Sequence, residues 1–515
     1  MTMHNEIFEQ NISALQHKKY SYIDKLVISS AHNVLYTKVK KAKTGEIVPI
    51  FSDGSSSHSV YDPKREADQL VRQTGTAGYI VFAGIGGAFH IRKCLQQKPD
   101  CICILTDAGY EAIHSLLELI DLSDILSDSR VVLLPDCTST TLIEYIVTHY
   151  YPAIYGGFYL QVLRSWQIHN VEITMLLEHN IKTGLQKISA DYSVQAHFGR
   201  LWFRNFLQNL DTLAEHQGKV PAHMTQKTAL ITAAGPGLEE HITRIQKKRN
   251  QYVVFATDTS YGVLIESGIN PDVFISIDAQ SVSLQHVMHP LKRDMTVILD
   301  LCANPGIGRV ARQAGCNLIY VAGNHPLARL AASNNRLPLL ETGSGTVTIA
   351  ALDAAKSMGF TDVSIVGADF CYKNGKPYAR GTYFDTNYGT ASNRIRPAES
   401  LYTSLVFRTE VASSIASSGI TYTPPILSLY AQELDSYQCM HTWSASCFSE
   451  FKVDDFLQKY INSLRQLQHD NRNIQNPVYI SLMPLLAWHT TQMRYTKGNI
   501  DMVIQLALEL IAGYT

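Results

Sequence analysis

Short runs of β-branched and aromatic residues alternate along this chain with stretches whose apolar positions recur every three to four residues. The runs at 79–83, 101–106 and 131–134 are each followed by a helical stretch. The same pattern returns at 228–233, 252–257, 273–277, 297–300, 318–321 and 363–366. Continuous apolar runs separated by helices predict parallel strands covered on both faces, and so doubly wound sheets. Residues 156–225 and 431–515 carry mostly helical spacing. The reading is α/β: Rossmann-like parallel-sheet domains at 1–155 and 226–430, a helical connector at 156–225, and a helical C-terminal region at 431–515.

The 515 residues suffice for two or three domains. Charged residues make up 17% and hydrophobic residues 45%, with a formal net charge of −1. That balance gives no electrostatic footprint for a nucleic acid. No apolar run is long enough to span a bilayer, and residues 1–20 lack a signal-type apolar core, so a cytoplasmic location is expected. The nine cysteines form no C-x-x-C pair. Cys101 and Cys103 point to one face of a strand and read as buried reduced thiols. The nineteen histidines show no metal-binding spacing, and no structural zinc is expected.

Candidate chemistry gathers at predicted strand ends, where open α/β sheets bind ligands. Gly235-Pro-Gly237 turns into a helix with Glu239 and Glu240 in its first turn. Asp258, Asp278 and Asp369 each end a strand. Gly343-Ser344-Gly345 opens another helix, whose free amides suit an anion. Tyr372 and Tyr378 flank a Lys-Asn-Gly turn, and their hydroxyls suit a phosphate. Each has a structural alternative: tight turns for the glycines, caps for the aspartates, half-buried aromatics for the tyrosines. In the first block, Gly84-Ile-Gly-Gly87 with Asp107 resembles a methyltransferase-like nucleotide turn, and a ligand-free Rossmann domain is the alternative.

These pieces carry a resemblance. Ala234-Gly-Pro-Gly-Leu238, Ala256-Thr-Asp258, Gly268-Ile-Asn-Pro-Asp-Val-Phe-Ile-Ser-Ile-Asp278, Gly343-Ser-Gly-Thr-Val347 and Gly367-Ala-Asp-Phe370 resemble the Maf proteins, motility-associated flagellin glycosyltransferases. The central domain of that family is related to MptE-like 6-hydroxymethylpterin diphosphokinases and is similar to CMP-sialic-acid-dependent sialyltransferases. His58-Ser-Val-Tyr-Asp-Pro63 and Glu66 resemble a motif of the Maf N-terminal domain.

The resemblance implies transfer of a nonulosonic, sialic-acid-like sugar from a CMP-linked donor to Ser or Thr of flagellin, without a required cofactor or metal. Gly235, Pro236, Gly237, Asp258, Asp278, Gly343 and Ser344 would bind the nucleotide, and Tyr372 and Tyr378 its phosphate. Asp369 or Glu399 would take the acceptor proton. Gly237 stands where the family usually has serine. The histidine that related sialyltransferases use as base after the tyrosine loop has no counterpart between His325 and His441. Two other readings stay open: a diphosphokinase using ATP and Mg²⁺, and a non-catalytic motility accessory protein.

Overall fold

The computed structural model describes residues 3–18, 20–29, 35–221, 224–333, 337–343, 345–416, 419–448, 451–467 and 476–514. The chain divides into two compact units, Met1–His197 with Leu486–Ile500, and Phe198–Leu485 with Asp501–Thr515.

In the first unit, β1 (Tyr36–Lys41) and β2 (Ile47–Phe51) form an antiparallel hairpin. The strands β3 (Tyr79–Ala83), β4 (Ile102–Asp107), β5 (Val131–Asp136) and β6 (Phe158–Val162) form a parallel sheet in the order β5-β4-β3-β6. All five residues of β3 are buried, as an apolar run covered on both faces requires. The fourth strand, β6, lies beyond residue 155, in a stretch that the spacing assigned to the connector. Four of its five residues are only half-buried at the sheet edge, which leaves a weak periodic signal. The helical spacing expected over 156–225 is carried mostly by one long helix, Val171–Glu215.

The second unit holds β7 (Thr228–Thr232), β8 (Tyr252–Thr257), β9 (Val273–Ser276), β10 (Thr296–Asp300), β11 (Asn317–Val321) and β12 (Val363–Val366). All pair in parallel, in the order β11-β10-β9-β8-β7-β12. The chain runs outward from β7 to β11 and then returns to β12 on the other side of β7. The switch point therefore lies between β7 and β12, where such sheets place ligands beyond the carboxyl ends. Helix Val347–Ser357 lies over β7, β8, β9 and β12. Its buried Ala350, Ala351, Ala354 and Ala355 allow a close approach, and its N-terminus opens at the same carboxyl edge. A small antiparallel sheet, β13 (Tyr372–Lys373), β14 (Ala412–Ala416) and β15 (Gly419–Thr423), follows β12 in the order β13-β15-β14. Beyond it come helices Pro425–Ser436, Val453–Leu467, Met483–Gln492 and Ile500–Ala512.

Two buried asparagines fix the carboxyl edge. Asn205 Nδ2 donates to the carbonyls of Ala279 and Cys302, and Asn209 Nδ2 to those of Leu301 and Ala303. Both pin the loops that leave β9 and β10. At the opposite edge, Asp272 Oδ2 accepts from Val254 N at 2.7 Å and from Arg249 Nη2 at 2.8 Å. The Gly268-Ile-Asn-Pro-Asp272 motif is thus a staple between the starts of β8 and β9, at the opposite edge from the strand-end aspartates.

Candidate functional site

The turn after β7 is closed by the end of β12. Asp369 Oδ2 accepts a hydrogen bond from Gly237 N at 2.6 Å, and Lys373 Nζ stands 3.0 Å from its Oδ1. Gly235 N donates to Gly367 O at 2.8 Å. A Cβ on Gly235 would lie 2.4 Å from Asp369 Oδ2 and 2.5 Å from the Gly367 carbonyl, so that position needs glycine, whereas one on Gly237 would meet only the Asp369 carboxylate, 2.4 Å from its Oδ1. The amides of Gly235 and Gly237 are thus both bonded within the protein. The protein's own carboxylate already sits at the N-terminus of helix Leu238–Lys247, where an anion is favoured. The following loop is also tied down: Glu239 Oε1 accepts from Lys376 Nζ at 2.5 Å and Arg380 N at 2.6 Å. Burial opposes ionisation of Glu239, yet the Arg380 amide and the Lys376 ammonium hold its carboxyl below the ordinary value.

Beside this turn the structure gathers a carboxylate–tyrosine cluster. Asp258 begins helix Asp258–Glu266 and is 3% exposed; its Oδ1 accepts from Thr259 N and its Oδ2 from Ser276 Oγ. Asp278 accepts from Gln280 N at 3.0 Å. Burial raises the Asp278 carboxyl, against the Gln280 bond and with help from the nearby charge of Asp258. Tyr378 stacks on Phe384, with ring centroids 4.6 Å apart. Burial, with the neighbouring Tyr372, pushes the Tyr378 hydroxyl up to about 12. Tyr383 is also raised, by burial first and then by Tyr378, Asp278 and Asp258. His286 meets the Tyr383 ring edge-on at 4.8 Å, and Asn387 Nδ2 donates to Gln285 Oε1 at 2.8 Å. These contacts bind helix Tyr383–Ala391 to the turn that follows Asp278.

The remaining expected residues fall around this cluster. Tyr372 is buried in β13 opposite Tyr422, close enough to Tyr378 to affect its ionisation. Pro236 is the middle of the closed turn, and its carbonyl accepts from Glu239 N. Gly343 N donates to Glu341 Oε1, and Gly345 N to Thr342 O, so those amides are spent internally as well. Ser344 lies outside the described residues. Glu399 is exposed in the first turn of helix Ala398–Val406, where the helix dipole alone favours a carboxylate.

Sequence reasoning missed three groups. The charge of the exposed Arg408 pulls the hydroxyls of both Tyr372 and Tyr378 down, against the larger effect of burial. Tyr383 and His286 complete the cluster from positions outside the motifs. Only the aromatic density of 378–388 could have signalled Tyr383, and nothing in the local sequence singles out His286 or Arg408. His325 is the cap of helix Pro326–Ala332. Its Nδ1 accepts from Leu327 N, and burial lowers it to about 3.

The glycine turn of the first unit is occupied by its own side chains. Asp107, the acid paired with that turn, accepts from Ile85 N, Ala108 N, Trp166 Nε1 and Tyr36 Oη. A Cβ on Gly84 would lie 2.5 Å from Trp166 Cγ, and one on Gly86 2.7 Å from His58 Nε2. His58 Nδ1 in turn pairs with Glu66 Oε2 at 3.1 Å. The acid's acceptor capacity thus goes to buried donors, as the ligand-free alternative implies.

Known proteins place this architecture. Residues 204–375 match the family described as "6-hydroxymethylpterin diphosphokinase MptE-like". An uncharacterized protein of Treponema pallidum (strain Nichols) is 34% identical over 245 residues, 47% of this chain and 85% of the relative. A second from the same organism is 37% identical over 172 residues, 33% of this chain and 81% of the relative. Among solved structures, a Maf glycosyltransferase from Magnetospirillum magneticum AMB-1 superposes with a TM-score of 0.57 at 11% identity, covering 99% of this chain and 90% of that one. That likeness is one of fold. The chain belongs to the family of these Treponema proteins, with an MptE-like domain set in a Maf-type fold of two parallel-sheet domains and a helical C-terminal region.

Proposed function

We propose that this protein is a glycosyltransferase that moves a nonulosonic sugar from a CMP-linked donor to Ser or Thr hydroxyls of flagellin. The observation that carries the reading is the cluster of Asp258, Asp278, Tyr372, Tyr378, Tyr383 and Arg408 beyond the carboxyl ends of the second sheet. The Maf glycosyltransferase of similar fold supports the reaction class, and the resemblance of the motifs supports donor and acceptor.

Departure of CMP leaves negative charge on a phosphate. Tyr372 and Tyr378, whose hydroxyls burial pushes up, stay protonated at neutral pH and remain donors, and Arg408 adds a cation. With that charge met by side chains, the step needs no metal. The nucleotide lies along Asp258, Asp278 and the Gly343 turn. Asp369 keeps the Gly235-Pro236-Gly237 turn in shape rather than taking a proton, because Gly237 N and Lys373 already hold it. The acceptor proton passes to His286, which stands against Tyr383 and near Asp278.

A second reading, diphosphate transfer from ATP to a hydroxymethylpterin, is favoured by the name of the matched family. It would need Mg²⁺ on Asp258 and Asp278 to offset the phosphate charge. A thermal-shift titration with CMP, CTP, AMP and ATP, with and without Mg²⁺, separates the two. At about a hundred times its dissociation constant a ligand stabilises the fold by about 2.7 kcal/mol. A metal-independent shift with CMP supports the glycosyltransferase, and a Mg²⁺-dependent shift with ATP supports the diphosphokinase. No shift with any of them would favour a non-catalytic accessory role.

A further inference from the structure

The two thiols that the sequence places on one face of β4 are joined by a third from helix Phe89–Gln97. Cys101 Sγ lies 3.5 Å from Cys103 Sγ and 3.8 Å from Cys94 Sγ, and all three sulfurs lie within 4.8 Å of one another. Their residues are 0–1% exposed. Three sulfurs at these separations surround a point about 2.1–2.4 Å from each, the length of a metal–thiolate bond, which is about 2.3 Å for zinc.

We propose that Cys94, Cys101 and Cys103 form a three-coordinate site for a soft monovalent cation, with Cu(I) as the ion it takes. Thiolate-only ligation selects soft ions such as Cu(I) and zinc. Structural zinc takes four ligands, and no fourth His, Cys, Asp or Glu joins this group among the described residues. Each thiol gives up its proton on becoming a ligand, so three protons leave and the loaded site carries a net charge of −2.

Two cations stand next to that charge. Lys98 Nζ is held by the carbonyls of Gly75 and Ala77 at 2.9 and 3.0 Å. The Arg130 guanidinium binds the carbonyls of Leu95, Lys98 and Pro99, while Asp128 offsets part of its charge. Entry is short, because residues 96–100 form the surface segment that covers the cysteines, and Gln96, Gln97, Pro99 and Asp100 are exposed. A bound ion would tie the end of helix Phe89–Gln97 to the start of β4, and so fix the helix that follows the Gly84 turn.

The test uses the full chain, reduced and free of oxygen, titrated with Cu(I) against a chromogenic Cu(I) chelator. X-ray absorption of the loaded protein is expected to show one copper with three sulfur neighbours at about 2.3 Å, the thiolate distance. Cys94→Ser, Cys101→Ser and Cys103→Ser are each expected to weaken binding by more than the roughly 10–100-fold that follows loss of an outer-shell partner. Cys302→Ser, at a cysteine outside the cluster, is expected to leave it unchanged. Three results overturn the proposal: a copper shell lacking three sulfurs, binding that survives in the folded triple variant, or a Cys94–Cys101 disulfide in place of metal retention. The absorption measurement on the unaltered protein decides even if a variant fails to fold.

Discussion

Asp369 and Gly237, distant in sequence, are joined by a 2.6 Å hydrogen bond that closes the switch point between β12 and β7. The glycine in the serine position of the related turn leaves room for that carboxylate. Gly237→Ser would press its Cβ against Asp369 Oδ1, and is expected to cost about 1–3 kcal/mol. The double variant with Asp369→Ala should recover part of that cost. A double-mutant cycle in urea measures the coupling; additive effects would mean that the two residues do not constrain each other.

Removing hydroxyls from the cluster should affect chemistry more than folding. The Tyr372→Phe, Tyr378→Phe double variant is expected to lower turnover by about 10²–10³-fold, as loss of a charge-stabilising donor does. Arg408→Gln should act in the same direction. Single-turnover assays with a CMP-linked donor read this out, and wild-type rates in the double tyrosine variant would remove the proposed phosphate clamp.

His286→Gln is expected to lower turnover by about 10²–10⁴-fold, the range for general-base help. Glu399→Gln, at an exposed helix start, should leave turnover unchanged. Loss of activity at Glu399 with none at His286 would return the base to the carboxylate that the motifs suggested.

Asp300 makes stability depend on pH. Burial holds its carboxyl up at about 6, against bonds from Cys302 N and Gly323 N, roughly two pH units above an exposed aspartate. Between about pH 4 and 6 the folded protein keeps a proton that the unfolded chain has released, so this contribution falls as pH rises. Asp300→Asn keeps an acceptor for the two amides without the charge. Its stability relative to wild type should rise by about 3 kcal/mol from pH 4 to pH 7. Denaturation at a series of pH values checks this, and a constant difference would contradict it.

Asp272 should separate scaffold from site. Asp272→Ala removes a charged acceptor from Val254 N and Arg249, and is expected to cost about 1.5–3 kcal/mol of stability. Nucleotide binding by the folded variant should not change, because the staple lies at the far edge of the sheet. Calorimetric unfolding and a CMP titration on the same sample test both halves.

Both parallel sheets, and the aspartates at the ends of β8, β9 and β12, were legible because buried strands and their turns leave local signatures. Strand β6 was not, since an edge strand half open to water shows little apolar pattern. The part played by Asp369 escaped because it depends on which turn lies opposite, and that is set by the sheet order. Arg408 and His286 reach the cluster from separate elements, so no spacing could announce them. The Gly268–Asp272 motif was read as family evidence, and the structure adds that it is a mechanical part.

Trp166 bears on the first unit in a further way. Its indole rests on Gly84 and donates to Asp107 at 2.7 Å, so the two positions by which such a domain would grip a dinucleotide are taken by the chain itself. One indole and one acid thus act as an internal staple that joins the end of β3, the end of β4 and helix Arg164–His169.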